Sequence, residues 1–280
     1  QWSLFGGKYN GHIWDGTFDP LHSAWQSLAN GIWTGMESGT SLGKTYMASL
    51  VAYWWLDVYE GGTVVLFSVD GSQLRQTLGS EIKSKFPHFK KLRPNAVWYD
   101  SIGVVVDGVD MEKAKWKMFA KTAEVKANED INVSAAGVHA KDMLYIVDEA
   151  AGIPHSIIKA IVNTSTAPNN MILLMGNPNS QGDSLHEFCI RYGVRHVVVS
   201  AYDHPNIVLG REVIPGAVSE GSIRIRAGEN GINVGSPEYE SRVRGKSPKE
   251  DPKSLFKSQW FDDAVKAGIH PPEVPEDCMS

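Results

Sequence analysis

A glycine-rich segment near the amino terminus carries residues that could surround phosphate groups. It spans 38–45 and has the sequence SGTSLGKT. Backbone N–H groups in such a turn can hold phosphate oxygens, a lysine can reach the outer phosphates, and a hydroxyl at the start of the following helix can bind Mg²⁺. We therefore predict a nucleotide-binding loop. Its predicted contacts are Ser38, Gly39, Thr40, Ser41, Leu42, Gly43, Lys44 and Thr45.

Two acidic residues, Asp148 and Glu149, follow the apolar run 143–147. A buried strand rarely ends in paired acids by chance, and such a pair suits phosphoryl transfer. Asp148 is placed to hold Mg²⁺, directly or through water, and Glu149 to activate the attacking water as a general base. The pattern predicts hydrolysis of ATP, with Lys44 and Glu149 as catalytic groups and Thr45 and Asp148 as metal ligands.

Further polar residues could complete this site. Asn177 follows the apolar run 171–175 and is a candidate sensor of the γ-phosphate. Gln26, beside Trp25, could hydrogen-bond to adenine through its amide, although a surface helix position is the simpler interpretation. An arginine could stabilise charge in the transition state, from the same chain or from a neighbour. The candidates are Arg191, Arg195, Arg224, Arg226, Arg242 and Arg244.

The segment 39–43 also fits G-x-S-x-G, the nucleophile turn of α/β-hydrolases. Ser41 would then be the nucleophile, with Asp148 and a histidine, His196 or His204, as its partners. That turn normally follows several strands, and too few residues precede Ser41 to form them. A hydrolase would also leave Lys44 and the paired acids without a role, so we favour the nucleotide loop.

The elements around these residues predict an α/β fold with a mainly parallel central sheet and helices on both faces, because strands alternate with helices and their apolar runs are continuous. The predicted strands are 31–36, 63–69, 96–99, 104–106, 116–121, 143–147, 171–175 and 195–201. The predicted helices are 21–30, 44–59, 72–86 and 157–162, with weaker ones at 237–244 and 258–267. Pro87 is expected to close the third helix.

Composition limits the possible classes of protein. The chain has 280 residues, of which 42% are hydrophobic and 21% charged, as in an ordinary soluble domain. A net charge of −5 excludes a surface that coats nucleic acid, so any such contact must be local. The basic and aromatic run 83–93 could touch DNA phosphates, although a solvated helix end is the simpler interpretation.

The cysteines and the apolar segments point to an intracellular protein. Cys189 and Cys278 stand far apart without metal-ligand spacing, which indicates reduced thiols. The longest apolar run, 46–56, is much shorter than the roughly 20 residues that a membrane span needs. Because the chain starts at Gln1 rather than Met, we expect it to be a piece of a longer polypeptide.

Several segments together resemble the ATPase domain of the large terminase subunit of tailed double-stranded DNA phages. The resemblance covers the region of Trp25 and the segments 39–45, 137–154, 173–183, 200–207 and 236–248. It implies a P-loop ATPase of the branch with an additional strand and a catalytic glutamate. Two residues depart from the family pattern: Ser38 replaces the first glycine, and Glu37 stands where many relatives carry a basic residue.

The resemblance also implies a setting for this activity. Such an ATPase forms a homo-oligomeric ring at the portal vertex and moves double-stranded viral DNA into a procapsid in the host cytoplasm, with the portal protein and the small terminase subunit as partners. A nuclease domain follows in the family, and we expect it to lie outside this chain. The expected division is an ATPase core at 1–207 and a lid or linker region at 208–280.

Two other functions are compatible with the same site residues. One is a helicase-like or repair ATPase of the same P-loop branch that acts on another nucleic acid. The other is a nucleotide-gated assembly module that docks on the portal or capsid with negligible turnover of its own.

Overall fold

The computed structural model describes residues 19–68, 70–108, 110–122, 138–249 and 266–268. Within this part of the chain the strands join in a single sheet. They are β1 (Thr34–Ser38), β2 (Thr63–Ser68), β3 (Val97–Tyr99), β4 (Gly103–Val105), β5 (Lys117–Thr122), β6 (Asp142–Val147), β7 (Asn169–Gly176) and β8 (Arg195–Val199). Their order across the sheet is β3-β4-β5-β2-β6-β7-β1-β8.

Helices connect the strands. The described α-helices are α1 (Pro20–Ala29), α2 (Lys44–Val58), α3 (Gly71–Gln76), α4 (Leu78–Leu92), α5 (His155–Thr164), α6 (Ser184–Arg191), α7 (Pro205–Val208), α8 (Glu220–Ala227) and α9 (Pro237–Arg242). Short 3₁₀ helices occur at Ala150–Gly152, Ala201–Asp203 and Glu229–Gly231. None of these helices combines the length and apolar character that crossing a membrane requires.

The sheet is mixed and mostly parallel, which confirms the predicted fold class at that level. Strand β4 runs antiparallel to β3 and β5, whereas the pairs β2/β5, β2/β6, β6/β7, β7/β1 and β1/β8 are parallel. The carboxyl ends of β1, β6 and β7 therefore lie together at one edge, where parallel α/β sheets bind their ligands. That edge carries the glycine-rich loop and the two acids.

Apolar residues cover both faces of the sheet. Along β2, Val64 and Leu66 belong to the core cluster that also contains buried residues of α1, α2 and α4. The intervening Val65 and Phe67 belong to a second cluster, with buried residues of α5 and α6. Because neighbouring side chains of a strand point to opposite faces, a continuous apolar strand must be covered twice. The predicted arrangement of helices on both faces is therefore observed.

The structure differs from the prediction at the helix expected for 72–86. The backbone breaks at Thr77 (φ −98, ψ −95), so two helices form, and α4 then continues through Pro87 to Leu92. Pro87 removes one helical hydrogen bond, but packing beyond it compensates. Phe89 is fully buried, and its ring lies 4.7 Å from that of Tyr53.

Strand β1 is shifted toward the carboxyl terminus relative to the predicted strand. The first strand was predicted at 31–36 and is found at Thr34–Ser38, so Glu37 and Ser38 are strand residues rather than part of the loop. The shift follows from pairing with β7 and β8, which extends the ladder as far as Ser38. The weak helix predicted at 258–267 lies almost entirely outside the described residues.

We expect Tyr53→Phe to lower the free energy of unfolding by about 1 kcal/mol. The Tyr53 hydroxyl is buried in α2 and donates a 2.8 Å hydrogen bond to the Ile82 carbonyl oxygen of α4, so the change removes a link between the two helices. Denaturant unfolding measures the effect. Tyr192→Phe is the control, because Tyr192 is 36% exposed. Equal stabilities of the two variants would contradict this role of the hydroxyl.

Candidate active site

The glycine-rich loop joins the end of β1 to the start of α2. Two of its residues have positive φ angles: Ser41 (φ 61) and Gly43 (φ 87), which caps the helix. Leu42 is 1% exposed and anchors the turn in the core. The first N–H groups of a helix have no acceptor within the helix, so those of Lys44 and Thr45 face the loop. This end of α2 is therefore suited to hold an anion.

The first residues of the loop are occupied by contacts within the protein. The Gly39 N–H donates to the Val199 carbonyl oxygen at 2.9 Å, and the Thr40 N–H donates to the Arg242 carbonyl oxygen at 2.8 Å. Ser38 is fully buried, and its hydroxyl donates to the Gly39 carbonyl oxygen. The N–H groups available for phosphate therefore begin at Ser41, and nucleotide contacts of Ser38, Gly39 and Thr40 stay predictions.

Lys44 and Asn177 meet at the sheet edge. Asn177 follows β7 and is 6% exposed, and Lys44 is 8% exposed. The Lys44 Nζ donates to Asn177 Oδ1 at 3.4 Å, while Asn177 Nδ2 donates to the Ser38 carbonyl oxygen at 2.6 Å. One buried amide thus connects the lysine to the end of β1.

The two acids follow β6 directly. The Asp148 N–H donates to the Phe67 carbonyl oxygen of β2 at 2.8 Å, and the Glu149 N–H donates to Asp148 Oδ1 at 3.0 Å. Burial and the neighbouring Glu149 carboxylate raise the pKa of Asp148 to about 6, although the Lys44 ammonium group opposes this. Burial lowers the pKa of Lys44, against the attraction of both carboxylates. The three charged groups therefore lie near enough to influence one another, with Lys44 and Asp148 buried and Glu149 half-buried.

Glu149 has an unusual backbone conformation. Its φ of 51 and ψ of 41 are left-handed, which is uncommon for residues other than glycine. The end of β7 lies close to it, because a Cβ atom on Gly176 would stand 3.2 Å from the Ala150 nitrogen and 3.3 Å from the Glu149 Cα. Such strained residues are concentrated at functional sites, where surrounding contacts hold the side chain in one orientation.

A segment from the carboxyl-terminal part of the chain completes the site. This segment, 239–248, runs against the loop and the neighbouring strand ends. The Ala201 N–H donates to the Val243 carbonyl oxygen at 2.8 Å, and the Ser241 hydroxyl donates to the Pro178 carbonyl oxygen. Gly245 (φ 64) packs so tightly that a Cβ atom there would lie 2.8 Å from the Gly39 nitrogen.

Sequence reasoning assigned 239–248 to a lid or linker and so missed its contact with the loop. The available signal was the family resemblance over 236–248. Among the candidate arginines, Arg242 is near enough for its charge to lower the pKa of Lys44. Two other candidates form ion pairs with different carboxylates, not with Asp148 or Glu149: Arg191 pairs with Glu187, and Arg244 with Glu240.

A cavity of about 330 Å³ adjoins the outer side of the loop. Residues 41–46 line it together with Leu21, Glu81, His204 and the segment 214–217. Gln26 is exposed on α1 and does not line this cavity, so the structure gives no support to its predicted contact with adenine. Trp25 packs edge to face on Trp54, with ring centroids 5.8 Å apart.

The residues proposed for a hydrolase triad have other partners. Asp148 shares its space with Lys44, and His196 Nε2 lies 3.1 Å from Glu37 Oε2. The Nδ1 atom of His204 accepts a hydrogen bond from the Asn206 N–H. Two basic residues of the run 83–93 form ion pairs with acidic residues elsewhere in the protein: Lys85 with Glu81, and Arg93 with Asp57.

The glycine-rich loop lies between β1 and α2, and Asp148 and Glu149 follow β6, which is parallel to β1 and two strands away in the sheet. This arrangement is that of a P-loop nucleotide-binding fold. No family model matches the chain. The chain is 29% identical over 227 residues to the probable large terminase subunit of Enterobacteria phage P7. The aligned region covers 79% of this chain and 43% of that protein. The chain thus spans less than half the length of this relative.

Solved structures show the same fold. The large terminase ATPase domain of Thermus phage P74-26 matches with a TM-score of 0.60 and 16% identity, over 88% of this chain and 96% of that one. The large terminase of a thermophilic bacteriophage, solved in complex with ADP, matches with a TM-score of 0.54 and 13% identity, over 81% and 52%. The predicted resemblance is confirmed: the sequence is similar to that of a probable phage large terminase, and the fold matches that of a large terminase ATPase domain.

We expect Gly39→Ala to lower the free energy of unfolding by about 1–3 kcal/mol, because the added methyl group has no room. Its Cβ atom would lie 2.9 Å from the Arg242 carbonyl oxygen and 3.0 Å from that of Val243. Gly182→Ala is the matched control, since the nearest atom to its Cβ, Ser180 Oγ, is 3.9 Å away. Denaturant unfolding compares the two, and a Gly39→Ala variant as stable as the control would contradict the close packing of 239–248.

Proposed function

We propose that this chain is the ATP-hydrolysing motor domain of a phage large terminase, and that hydrolysis drives double-stranded viral DNA into a procapsid. The observation that carries the proposal is the position of the buried Lys44 at the start of α2, where it bonds to Asn177 and lies near enough to Asp148 and Glu149 for their charges to raise its pKa against the effect of burial. The relatives support it, since one neighbour of similar fold was solved with ADP bound.

The donor atoms at this edge suit Mg²⁺, which prefers carboxylate and hydroxyl oxygens. Thr45, in the first turn of α2, and Asp148, after β6, would hold the ion. A cation here would also offset the cost of burying the Asp148 carboxylate, whose pKa is raised to about 6. When bound with ATP, Mg²⁺ neutralises charge on the β- and γ-phosphates.

The chain's own residues would then perform hydrolysis in one displacement. N–H groups from Ser41 to Thr45 hold the phosphates, and the Lys44 ammonium group stabilises charge on the γ-phosphate. Glu149 accepts a proton from water as the water oxygen bonds to the γ-phosphorus, and the bond to the β-phosphate oxygen breaks to release ADP and phosphate. Asn177, which accepts a hydrogen bond from Lys44, would contact the γ-phosphate.

Strand order supports the branch of P-loop ATPases that the sequence predicts. Strand β7 lies between β1, which leads into the loop, and β6, which leads into the acids. We assign β7 as the additional strand, with Asn177 at its end, and Glu149 as the catalytic glutamate. The division into a core at 1–207 and a lid or linker at 208–280 remains part of the proposal, with 239–248 acting as a part of the active site.

We also propose the wider setting that the family implies. The motor would act in the host cytoplasm as a homo-oligomeric ring, with double-stranded DNA, the portal protein and the small terminase subunit as partners. Arg242 is the candidate for charge stabilisation from within the chain, and an arginine from a neighbour is the alternative. A rise in specific ATPase activity with protein concentration would indicate the neighbour.

Two measurements separate this proposal from its alternatives. Packaging of DNA into empty procapsids by the full-length subunit distinguishes a packaging motor from a helicase-like ATPase. Absence of ATP turnover at every protein concentration would instead favour the assembly module.

We expect Glu149→Gln to lower kcat about 10²–10⁴-fold, because the amide cannot accept the proton of water. Nucleotide affinity should be retained, since the phosphate contacts are unchanged. Phosphate release and equilibrium nucleotide binding measure the two quantities. Lys44→Ala should lose both turnover and affinity, whereas Glu112→Gln, at an exposed position, should leave both unchanged. Hydrolysis close to that of the unmodified chain in Glu149→Gln would refute the assignment of the base.

Acid pH should reduce kcat/KM with an apparent pKa of about 6, which is the raised pKa of Asp148. The carboxylate form holds Mg²⁺, so activity is full above this pKa and falls about tenfold for each pH unit below it. A pH series of initial rates at limiting ATP measures the profile in free enzyme. A profile that stays flat through the pKa of Asp148 would show that ionisation of this residue is not required.

A further inference from the structure

A second polar cluster lies buried beside the loop, around Glu37. This residue is 2% exposed in β1, directly before Ser38. Its Oε1 atom accepts hydrogen bonds from His186 Nδ1 and from Ser247 Oγ, both at 2.7 Å. Its Oε2 atom faces His196, with Nε2 at 3.1 Å. Nothing in the proposed hydrolysis uses these groups, so their grouping needs another explanation.

We propose that Glu37, Cys189 and His196 bind one divalent metal ion of the zinc class. One ligand atom from each lies within 4.8 Å of the others. Carboxylate oxygen, thiolate sulfur and imidazole nitrogen are the usual ligands of Zn²⁺, at roughly 2.0–2.3 Å. Two ligand atoms on a tetrahedral ion then stand about 3.3–3.8 Å apart. The distance between Glu37 and His196 is close to this range, and movements of about 1 Å would bring in the sulfur.

The unsatisfied imidazole nitrogen favours an ion over a network of hydrogen bonds. His196 Nε2 is buried and makes no hydrogen bond within the described part of the chain. It lies 3.1 Å from Glu37 Oε2, and its proximity helps to lower the pKa of that carboxyl group against the effect of burial. When Nε2 carries no proton, its buried lone pair faces the Glu37 carboxylate, which costs free energy unless something binds both atoms. A metal ion between the nitrogen and the carboxylate would do so.

The two oxygens of Glu37 are used differently, as in a metal-binding carboxylate. His186 and Ser247 both donate to Oε1, which leaves Oε2 directed to the position of the ion. Hydrogen bonds from outside the metal site typically orient a ligating carboxylate in this manner. The remaining coordination position would go to water. His196 is 31% exposed, which provides a path for the ion from solvent.

Charge balance also suits a divalent ion. The Glu37 carboxylate and a Cys189 thiolate would together neutralise the two positive charges. Burial raises the pKa of Cys189, and the carboxylates of Glu37 and Asp183 raise it further, so the ion-free site holds a neutral thiol. Binding breaks the S–H bond, forms the S–Zn bond and releases the proton to solvent.

The site would join three elements around the phosphate loop: β1 through Glu37, α6 through Cys189 and β8 through His196. The thiol already lies against the backbone of β1, because a Cβ atom on Gly35 would be 2.3 Å from Cys189 Sγ. A bound ion would thus stabilise the folded state over the unfolded one and raise the melting temperature.

Co²⁺ titration of the Cys278→Ser protein tests the proposal, because Cys189 is then the remaining thiol. We expect a sulfur-to-cobalt charge-transfer band that saturates at one ion per chain and disappears when Zn²⁺ is added. Excess Mg²⁺ should leave the band in place, and Zn²⁺ should raise the melting temperature. None of these readouts depends on ATP turnover. Absence of the band would overturn the proposal.

Variants identify the ligands. In the same background, Cys189→Ser and His196→Ala should each weaken Zn²⁺ binding at least tenfold in calorimetric titration. His22→Ala, at an exposed histidine outside the cluster, should not change it. Circular dichroism confirms folding, and Glu37→Gln replaces either variant that fails to fold. Unchanged Zn²⁺ affinity in the folded ligand variants would place the ion elsewhere and refute the site.

Discussion

A buried ammonium group governs the arrangement of this site. Lys44 is 8% exposed, and a charge so placed is costly unless opposite charges accompany it. The carboxylates of Asp148 and Glu149 provide them, although they lie far from Lys44 in sequence. Their meeting depends on parallel pairing, since only aligned carboxyl ends of β1, β7 and β6 bring the loop and the acids to one edge. The fold and the charge pairing therefore require each other.

The loop is held from both sides by the rest of the chain. Asn177 connects Lys44 to the Ser38 carbonyl oxygen, and the Arg242 carbonyl oxygen accepts the Thr40 N–H. Any movement of the loop must carry the 239–248 segment with it or break the hydrogen bond between Thr40 and Arg242. Ser247 also donates a hydrogen bond to Glu37, so a region predicted to be a lid or linker contacts the strand that leads into the loop.

The sequence predicted those features that depend on local pattern. Continuous apolar runs identified the central strands, and the residues directly after them, Asp148, Glu149 and Asn177, are found at one edge of the sheet as the parallel arrangement required. Helix α4 continues past Pro87 because packing of Phe89 against Tyr53, which is distant in sequence, outweighs a single lost hydrogen bond. A propensity rule applied to the local sequence cannot register such a contact.

Contacts between distant segments were the least predictable. The fit of Gly245 against Gly39 depends on backbone positions some two hundred residues apart, and no spacing in the sequence expresses it. The Glu37 cluster was hidden for a related reason. Its residues come from β1, α6 and β8, so Cys189 showed no metal-ligand spacing along the chain. The contact of Gln26 with adenine stays a prediction without support, because this residue does not line the cavity beside the loop.

A structure with a non-hydrolysable ATP analogue and Mg²⁺ tests the central claim most directly. We predict that the phosphates contact the N–H groups from Ser41 to Thr45, and that Lys44 Nζ moves from Asn177 toward the γ-phosphate. Glu149 should lie on the opposite side of that phosphate, within reach of a water molecule. Nucleotide bound away from the loop, or a γ-phosphate distant from both Lys44 and Glu149, would contradict the proposed site.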